Sequence, residues 1–513
     1  MNHYCQLCCM LVALFLNSCT TTRKEQFVTS LVFPEGITVE EKARLAGHVV
    51  PSSRQLEWQR MQFTAFVCYG INTFTDKEWG TGKEDPLLFD PEMLDARQWA
   101  HTIKDAGMKM LLLTCKHHDG FCLWPSRFTD FSVASSPWKD GNGDLVKEVS
   151  DACREFDLRF AVYLSPWDMN HPDYGTDKYN DYFVNQLTEL LTNYGRVDEV
   201  WFDGACGEGP NGKKQVYDFK RYYQVIRQLQ PHAVIAVMGP DVRWVGTESG
   251  YGRDTEWSVV PASAANLEEL AASSQQEPGN GTFLPEGDQM SQDLGSRDKL
   301  AGAKGVIWYP SEVDVSIRPG WYYHPAEDSL VKSPQKLVDI YYSSVGRNSL
   351  LLLNLPPDKR GLIHDTDIRN LMEMQRILKQ TFAHNLLENA TTTTFSREDL
   401  TDGQLQTCWT GQGRSGILEI FFAEHIVFDR LVLQENITAG QRVERFVLEC
   451  WIDNKWKKIT GGTTIGYKRI LRFDPVKCEK VRLTIMESRD TPLISELGIY
   501  KSSLDEHPSI EFD

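Results

Sequence analysis

The chain of 513 residues has a formal net charge of −17 and contains 41% hydrophobic and 11% aromatic residues. This length exceeds what one ordinary hydrophobic core serves, so we expect two or three domains. The apolar content argues against a disordered chain, and the acidic balance argues against a nucleic-acid partner, because phosphate binding requires a basic surface.

The first nineteen residues have the pattern of an export signal. Met10–Leu16 is an apolar run too short to span a bilayer as a helix. It leads into Leu16–Cys19, which resembles a bacterial lipobox in which Cys19 is acylated and becomes the mature N-terminus. We predict a signal peptide over 1–19 and a tether and lead-in over 20–57. An ordinary cleaved signal peptide is the alternative. Either form predicts export, to the periplasm or the outer-membrane or cell surface, with a lipid anchor as the expected membrane attachment.

Short apolar runs alternate with helical patterns between about residues 60 and 345. Such nearly continuous runs are typical of parallel strands covered on both faces. The predicted strands are Phe63–Ile71, Met108–Thr114, Arg159–Leu164, Glu199–Phe202, Ala233–Met238 and Gly305–Tyr309. The predicted helices include Ala96–Ala106, Leu145–Phe156, Asp177–Tyr194 and Val216–Gln230. This alternation predicts an α/β fold, a TIM-like (β/α) barrel over 58–362 with a missing or irregular helix. A doubly wound open sheet is the alternative, although no Gly-rich dinucleotide turn follows the first strand.

The remaining segments depart from this alternation. Residues 261–300 are rich in Ala, Ser, Gln and Gly and predict a long loop, either over the active face or as a surface insertion. A connecting helix is predicted over 363–388, where Asp365–Phe382 has an apolar stripe. Residues 389–513 predict an all-β jelly-roll sandwich similar to galactose-binding-like domains. Its predicted strands are Leu418–Phe422, Arg430–Gln434, Phe446–Trp451 and Val481–Ile485.

The segment Lys116–Ser126 follows the predicted strand Met108–Thr114 directly, and therefore lies at the catalytic rim of a barrel. Its residues His117, His118 and Asp119 are candidates for a metal site. Successive residues that leave a strand point in different directions, however, and the other His and Cys residues have no metal-type spacing. Neutral imidazoles offer one donor and one acceptor each, which suits neighbouring hydroxyl groups. We favour hydroxyl binding and keep the metal site as the alternative.

Two carboxylates lie beyond predicted barrel strands. Asp203 ends an apolar strand and precedes a glycine, a position typical of a catalytic residue, although a structural cap is the alternative. Glu248 lies in Arg243–Gly250, beyond the following strand. The charged neighbours of Glu248 on their own predict a solvated loop, and they are Asp241, Arg243, Arg253, Asp254 and Glu256.

Together these segments resemble the family 29 glycoside hydrolases, the α-L-fucosidases. The matching stretches are Tyr69–Phe74 with Glu78-Trp79, Lys116–Ser126, Val162–Asp168 and Val197–Ala205. Arg243–Gly250, with Thr255–Ser258, resembles the subgroup that acts on α-1,3- and α-1,4-linked fucose. The resemblance covers most of residues 58–345.

The resemblance implies an exo-acting, retaining α-L-fucosidase that needs neither a metal nor an organic cofactor. Asp203 matches the family nucleophile, and Glu248 matches the subgroup's general acid/base. The implied or candidate substrate-binding residues are His117, His118, Tyr163, Trp201, Asn72, Glu78, Trp79, Asp314, Arg318 and Trp321. The implied partners are fucosylated oligosaccharides or glycoconjugates of the branched, Lewis type.

Two other hypotheses belong to different classes. The chain could be a catalytically silent surface lipoprotein that binds glycans, or a metal-dependent hydrolase that uses His117 and His118. In the C-terminal domain, Trp409, Trp451 and Trp456 are candidates either for stacking on sugars or for packing.

Overall fold

The computed structural model describes residues 28–262, 291–392, 395–503 and 506. The predicted signal peptide, Cys19 and residues 20–27 of the predicted tether and lead-in lie outside the described residues. In the described part of the chain, no helix is both long and apolar enough to cross a bilayer.

Strands and helices alternate through the first two thirds of the chain. The strands are β1 (Ser30–Val32), β2 (Phe63–Val67), β3 (Met110–Lys116), β4 (Arg159–Leu164), β5 (Glu199–Phe202), β6 (Val234–Val237), β7 (Arg243–Trp244), β8 (Val259–Ala262), β9 (Gly305–Trp308), β10 (Ser311–Ser316) and β11 (Leu350–Asn354). The helices are α1 (Val39–Ala46), α2 (Ser53–Met61), α3 (Ile71–Thr75), α4 (Ala96–Asp105), α5 (Leu145–Glu155), α6 (Asp177–Asn193), α7 (Phe219–Leu229), α8 (Arg297–Gly302), α9 (Pro334–Ser344) and α10 (Asp365–Thr381).

Eight parallel strands form a nearly closed barrel, in the order β6-β5-β4-β3-β2-β11-β10-β7. The two end strands meet through a single antiparallel bridge between Met238 and Arg243. The segment from β6 to β7 is too short for a helix, whereas α4, α5 and α6 follow β2, β3 and β4 in regular alternation. The prediction of a TIM-like barrel with an irregular helix is therefore confirmed, and the doubly wound sheet is not adopted.

Alternating strand residues fill two separate cores. Leu112 and Leu352 lie in a cluster inside the barrel, together with Trp58 of α2. Leu111 and Leu351 belong to the larger cluster between the barrel and its outer helices. The two cores arise because successive side chains of a strand point to opposite faces. All five residues of β2 are buried, as a strand packed on both sides requires.

The amphipathic helices begin at capping residues. Asp95 accepts hydrogen bonds from the backbone N–H groups of Arg97 and Gln98 at the start of α4. Asp144 caps α5 in the same way, and both helices bury an apolar stripe. These caps satisfy backbone donors that have no partner within the helix. They explain why the predicted helix starts agree with the structure.

One predicted barrel strand belongs to another sheet. Gly305–Tyr309 does contain a strand, β9, but β9 pairs antiparallel with β1 and β8 in a three-stranded sheet. The barrel takes Ser311–Ser316 instead. Both faces of β9 are buried, with Trp308 in one cluster and Ile307 in another. Its apolar sequence therefore looks like that of a buried parallel strand.

The predicted loop over 261–300 is interrupted by regular structure at both ends. Its first residues complete β8, and Arg297–Gly302 forms α8. Residues 263–290 lie outside the described part of the chain.

The C-terminal region is all-β and antiparallel, as predicted. Its strands are β12 (Ala390–Thr392), β13 (Trp409–Thr410), β14 (Gly416–Glu435), β15 (Val443–Ile452), β16 (Lys455–Gly462), β17 (Arg469–Ser488) and β18 (Leu493–Tyr500). They follow the order β13-β18-β14-β17-β15-β16, and β12 pairs with β14. The two strands predicted at Leu418–Phe422 and Arg430–Gln434 are parts of the single strand β14. Shifts of register interrupt its pairing with β17 between them.

The three candidate tryptophans of this domain pack against other residues of the same domain. Trp409 is 8% exposed and lies in the domain core. Trp451 and Trp456 meet edge to face at 5.4 Å. Lys480 lies over the ring of Trp451, and Arg482 lies over the ring of Trp456. Packing therefore accounts for all three side chains.

Candidate active site

A cavity of about 270 Å³ opens at the C-terminal ends of the barrel strands. This is the face where TIM barrels carry their active sites. The lining residues come from at least five strands or strand ends and from the adjoining loops. They are Phe66, Cys68, Trp79, His117, His118, Tyr163, Trp201, Asp203, Ala205, Glu248, Asp314 and Trp321.

A larger cleft of about 500 Å³ lies at the opposite face, where the strands begin. Several of its charged side chains pair with one another. Arg159 bonds both Glu57 and Asp198 at 3.0 Å, and Arg196 also pairs with Asp198. Volume alone therefore does not identify the functional site, since residues at this end of a barrel serve stability.

Asp203 immediately follows β5, and its side chain is 28% exposed. The Tyr163 hydroxyl donates to Oδ2 at 3.1 Å, and the Ala205 N–H donates to Oδ1 at 2.7 Å. His118 Nε2 lies 3.9 Å from Oδ2, beyond hydrogen-bond distance. The carboxylate is thus held by two donors, yet it still faces the cavity.

The paired histidines lie side by side at the end of β3. Their ring centroids are 4.0 Å apart. Burial, then repulsion from Lys116, lowers the pKa of His118 to about 3. Burial, then His118, lowers the pKa of His117 well below its usual value, although Asp203 opposes this. Both imidazoles are therefore neutral at working pH.

A short hydrogen-bond chain fixes the tautomer of His118. The Ser165 hydroxyl donates to the Trp167 carbonyl oxygen at 2.7 Å. Its oxygen lies 2.7 Å from His118 Nδ1 and accepts that N–H. His118 Nε2 is consequently an acceptor, aimed toward the Asp203 side of the cavity. A ligand hydroxyl can donate to it.

Two indoles bind the other two carboxyl groups of the cavity. Trp244 Nε1 donates to Asp314 Oδ1 at 2.7 Å, and Trp321 Nε1 donates to Glu248 Oε2 at 3.2 Å. Burial, and secondarily the charge of Glu248, raises the pKa of Asp314 to about 7 despite the Trp244 bond. Glu248 is exposed, on the loop between β7 and β8.

Three of the predicted substrate-binding residues do not line the cavity. Asn72 is buried and donates to Asp119 Oδ2 at 3.0 Å. Glu78 accepts the backbone N–H groups of Trp321 and Tyr322, so it supports the rim.

Arg318 has no solvent exposure. Its guanidinium bonds both oxygens of Asp367 at 2.9 Å and Asp328 Oδ1 at 2.9 Å. The two bonds to Asp367 hold the barrel to α10, away from the cavity, and the third holds the loop that contains Asp328. The sequence could not reveal this arrangement, because Asp367 lies on a helix that the barrel prediction did not connect to Arg318.

The other predicted residues converge as expected. Trp79 is 58% exposed and meets His118 and Trp167 edge to face at 5.7 and 5.6 Å. Trp201 forms part of the cavity floor, and its Nε1 donates to Glu312 Oε1 at 2.7 Å.

Sequence reasoning missed several residues that shape the floor. Phe66 packs against the rings of Tyr163, Trp201 and Trp321 at 5.7 to 5.9 Å. Phe66 and Cys68 are two residues apart within the predicted strand Phe63–Ile71, so the period-two rule could have placed both on the same face.

The donor set around the histidines offers little to a metal ion. In the described ranges, no group of three or more His, Cys, Asp or Glu side chains is arranged to hold one. Asp119 Oδ2 is 4.0 Å from His117 Nδ1, and Asp119 Oδ1 accepts the Phe121 N–H at 2.6 Å. Asp119 is therefore used by the protein itself.

Comparison with known proteins agrees with this geometry. The family model for α-L-fucosidase matches residues 51–381. The chain belongs to the α-L-fucosidases of glycoside hydrolase family 29. It is 41% identical to Alpha-L-fucosidase 1 of Arabidopsis thaliana, over 88% of this chain and 87% of that protein.

Solved structures extend the similarity to both domains of the fucosidase. A protein from Bacteroides ovatus is 50% identical, with a TM-score of 0.84, over 94% of this chain and 80% of that chain. A family 29 fucosidase from Ruminococcus gnavus in complex with fucose is 30% identical. Its TM-score is 0.77, over 90% of this chain and 96% of that chain. The protein is a glycoside hydrolase with α-L-fucosidase activity, so the silent glycan-binding hypothesis is set aside.

Proposed function

We propose that this fucosidase is a retaining exo-enzyme in which Asp203 is the nucleophile and Glu248 is the general acid/base. The observation that carries the proposal is that both carboxylates line one cavity at the catalytic face of the barrel. Asp314 also lines it, but Asp314 is 3% exposed and binds the Trp244 indole. Asp203 and Glu248 are the more accessible carboxylates.

In the first step, an Asp203 oxygen attacks the anomeric carbon of fucose while the glycosidic bond breaks. Glu248 donates its proton to the departing oxygen, and a fucosyl ester of Asp203 forms. In the second step, the Glu248 carboxylate takes a proton from water, and the water oxygen displaces Asp203 from the anomeric carbon. Retention requires the two carboxyl groups to lie only about 5–5.5 Å apart when the substrate is bound.

The histidines and Tyr163 would hold the sugar. Because His118 Nε2 is an acceptor, a fucose hydroxyl can donate to it. The Tyr163 donor would remain on the carboxylate and then on the ester oxygen.

Substitution of Asp203 tests the nucleophile. Asp203→Ala should abolish turnover, and azide should restore it while giving fucosyl azide of the opposite anomer to the natural product. Asp203→Asn, which keeps the side-chain shape, should also be inactive. An Asp203→Ala enzyme with substantial turnover in the absence of azide would contradict the assignment.

Substitution of Glu248 tests the acid. Glu248→Ala should retain much more activity on aryl fucosides with good leaving groups than on natural glycans, because only the latter need protonation of the leaving oxygen. Glu248→Gln is the matched control without an ionisable proton. Equal losses on both substrate types would remove Glu248 from the acid role.

We further propose that the enzyme releases α-1,3- or α-1,4-linked fucose from branched, Lewis-type glycans. The support is the match of Arg243–Gly250 and Thr255–Ser258 to that subgroup, together with the presence of Glu248 in the cavity. A Lewis-type trisaccharide should be hydrolysed faster than 2′-fucosyllactose. The reverse preference would overturn this specificity.

The metal-dependent alternative is tested with a chelator. EDTA should leave activity unchanged, because the proposed chemistry uses carboxylates and neutral imidazoles alone. Loss of activity that zinc or manganese restores would support the metal site at His117 and His118.

We also propose that the mature protein is lipid-anchored through Cys19 and exported, to the periplasm or the outer-membrane or cell surface. The support is the sequence Leu16–Cys19 after the apolar run Met10–Leu16. In a bacterial host, labelled fatty acid should be incorporated into the wild type and not into Cys19→Ala. Equal labelling of both would contradict the anchor.

A further inference from the structure

The segment that carries Glu248 ends against the C-terminal domain. It leaves the barrel at β7, passes through Glu248 and enters the small sheet at β8. Its last part, residues 254–258, which we term the anchor segment, forms hydrogen bonds with the C-terminal domain from four of its five residues. The residues concerned are Asp254, Thr255, Glu256 and Ser258.

Gln441 makes the most specific of these contacts. Its Nε2 donates to the Glu256 carbonyl oxygen at 3.0 Å, and its Oε1 accepts the Ser258 N–H at 2.7 Å. One side-chain amide therefore satisfies two backbone groups, as a neighbouring strand would. Gln441 has no solvent exposure, so breaking either bond leaves a buried polar group without a partner.

Three threonines and an arginine complete the contact. Thr464 Oγ1 accepts the Glu256 N–H at 3.0 Å, and the hydroxyls of Thr255 and Thr463 are 2.7 Å apart. Arg469 Nη1 donates to the Asp254 carbonyl oxygen at 2.7 Å.

A buried carboxylate organises the C-terminal side of the contact. Glu435 Oε1 accepts the N–H groups of Arg442 and Val443 at 2.8 and 2.9 Å, and Oε2 accepts that of Gly466 at 2.7 Å. Arg442 directly follows Gln441 in the chain, and Gly466 lies two residues after Thr464. The two segments that hold the anchor segment are thus fixed to each other.

On the barrel side, the Glu256 carboxylate pairs with Arg243 and Arg253. Arg243 precedes Trp244, whose indole binds Asp314 in the cavity. Glu256 and Arg243, which composition predicted to be solvated, are therefore buried, with 1% and 3% exposure. Asp254 is exposed, as predicted. The buried Arg243–Glu256 pair joins the anchor segment to the start of the Glu248 loop.

We propose that the C-terminal domain positions Glu248, with Gln441 and Thr464 as positioning residues that act through Glu256. The inference rests on the proposed acid/base role of Glu248. The nucleophile needs no such help, because Asp203 directly follows a barrel strand. Glu248 lies on an exposed loop, and a misplacement of about 1 Å can cost about 100-fold in rate.

The test uses the full-length enzyme with Gln441→Met, which keeps the length of the side chain but removes both hydrogen bonds. We expect kcat/KM on an unactivated fucosyl disaccharide to fall about 10–100-fold. On 2,4-dinitrophenyl fucoside, whose dinitrophenolate group departs without being protonated, kcat/KM should fall less than about threefold. Thr464→Val should show the same pattern more weakly, and Thr464→Ser, which keeps the hydroxyl, should behave as the wild type.

Arg472→Met is the matched control. Arg472 also joins the two domains, through a salt bridge to Asp339 and by lying over the Tyr342 ring, but it does not contact the anchor segment. Arg472→Met should lower kcat/KM on both substrates equally and only slightly. Thermal melts of every variant show whether a loss of activity is caused by unfolding. If Gln441→Met does not fold, Thr464→Val and Thr464→Ser decide the question.

The two proposals fail in different ways. If Glu248→Ala shows the leaving-group signature but Gln441→Met and Thr464→Val leave both substrates unchanged, or reduce both equally, the positioning inference is overturned and the acid role stands. If Glu248→Ala itself reduces both substrates equally, the acid role is overturned.

Discussion

A buried ion pair beside the active cavity gives a quantitative prediction for stability. Lys116 Nζ, which is not exposed, lies 3.0 Å from Asp168 Oδ2 and donates to Gln186 Oε1 at 3.0 Å. Asp168 Oδ1 accepts the N–H groups of Asn170 and His171 at 2.9 and 2.8 Å. Lys116→Met keeps most of the side-chain length but leaves the Asp168 carboxylate buried without a cation.

Removing one partner of a buried ion pair costs about 3–5 kcal/mol. In a protein of 513 residues the entropy of unfolding is about 1 kcal/mol/K, so each kcal/mol lowers Tm by roughly 1 °C. Lys116→Met should therefore lower Tm by roughly 3–5 °C, even though the two backbone donors still bind the carboxylate. The double variant with Asp168→Asn should recover much of this loss, because no charge remains buried and the asparagine oxygen can still accept both N–H groups.

Thermal unfolding followed by circular dichroism at neutral pH measures these changes, with the Asp168→Asn single variant closing the cycle. The same segment supports the site, since the Met169 N–H donates to the His118 carbonyl oxygen at 2.8 Å. KM should rise in Lys116→Met for that reason. A Tm within about 1 °C of the wild type, or a double variant no more stable than Lys116→Met, would refute the reasoning.

Three further predictions concern pH and a corrected assignment. Burial lowers the pKa of His324, but hydrogen bonds to Asp76 and Glu78 outweigh burial and raise it overall. The stability from these bonds is present below the ordinary histidine pKa and lost at higher pH, so His324→Leu should lower Tm more at pH about 5.5 than at pH about 8.5. A reversed order would contradict this. Burial raises the pKa of Asp314 to about 7, so the folded protein keeps the carboxyl proton at pH values where the unfolded chain has lost it. Stability therefore falls as pH rises from about 4 to about 7. Asp314→Asn should lack this loss, and its Tm relative to the wild type should increase over that range; parallel melting curves would count against it. Arg318→Met should cost about 3–5 kcal/mol of stability, while KM of the folded variant stays near the wild-type value. A large increase in KM without a change in Tm would return Arg318 to the substrate site.

The sequence predicted the elements in which local pattern and burial agree. The helix around Trp99 begins at the Asp95 cap and buries one stripe, so its bounds could be read within a residue or two. Asp203 was identifiable because an apolar strand of four buried residues ends immediately before it. Position along a barrel strand is a physical signal, and it placed His117 and His118 at the same rim.

Strand β10 was missed because its polar residues point into the barrel. Glu312 and Asp314 are fully or nearly fully buried, and each accepts an indole N–H at 2.7 Å, from Trp201 and Trp244 respectively. A buried polar group is stable only with such a partner. The partners lie about 70 to 110 residues away along the chain, and no local pattern shows them.

The same limit explains why the two proposed catalytic carboxylates differed in how readily they could be identified. The barrel alone positions Asp203, through β5 and the Tyr163 hydroxyl. The segment that holds Glu248 begins on the barrel but is secured by Gln441, which lies in a different domain. If the positioning inference is correct, disturbing the domain contact should impair proton transfer to the leaving group more than it impairs nucleophilic attack. The C-terminal domain would then be part of the catalytic apparatus of this fucosidase even though none of its described residues lines the cavity.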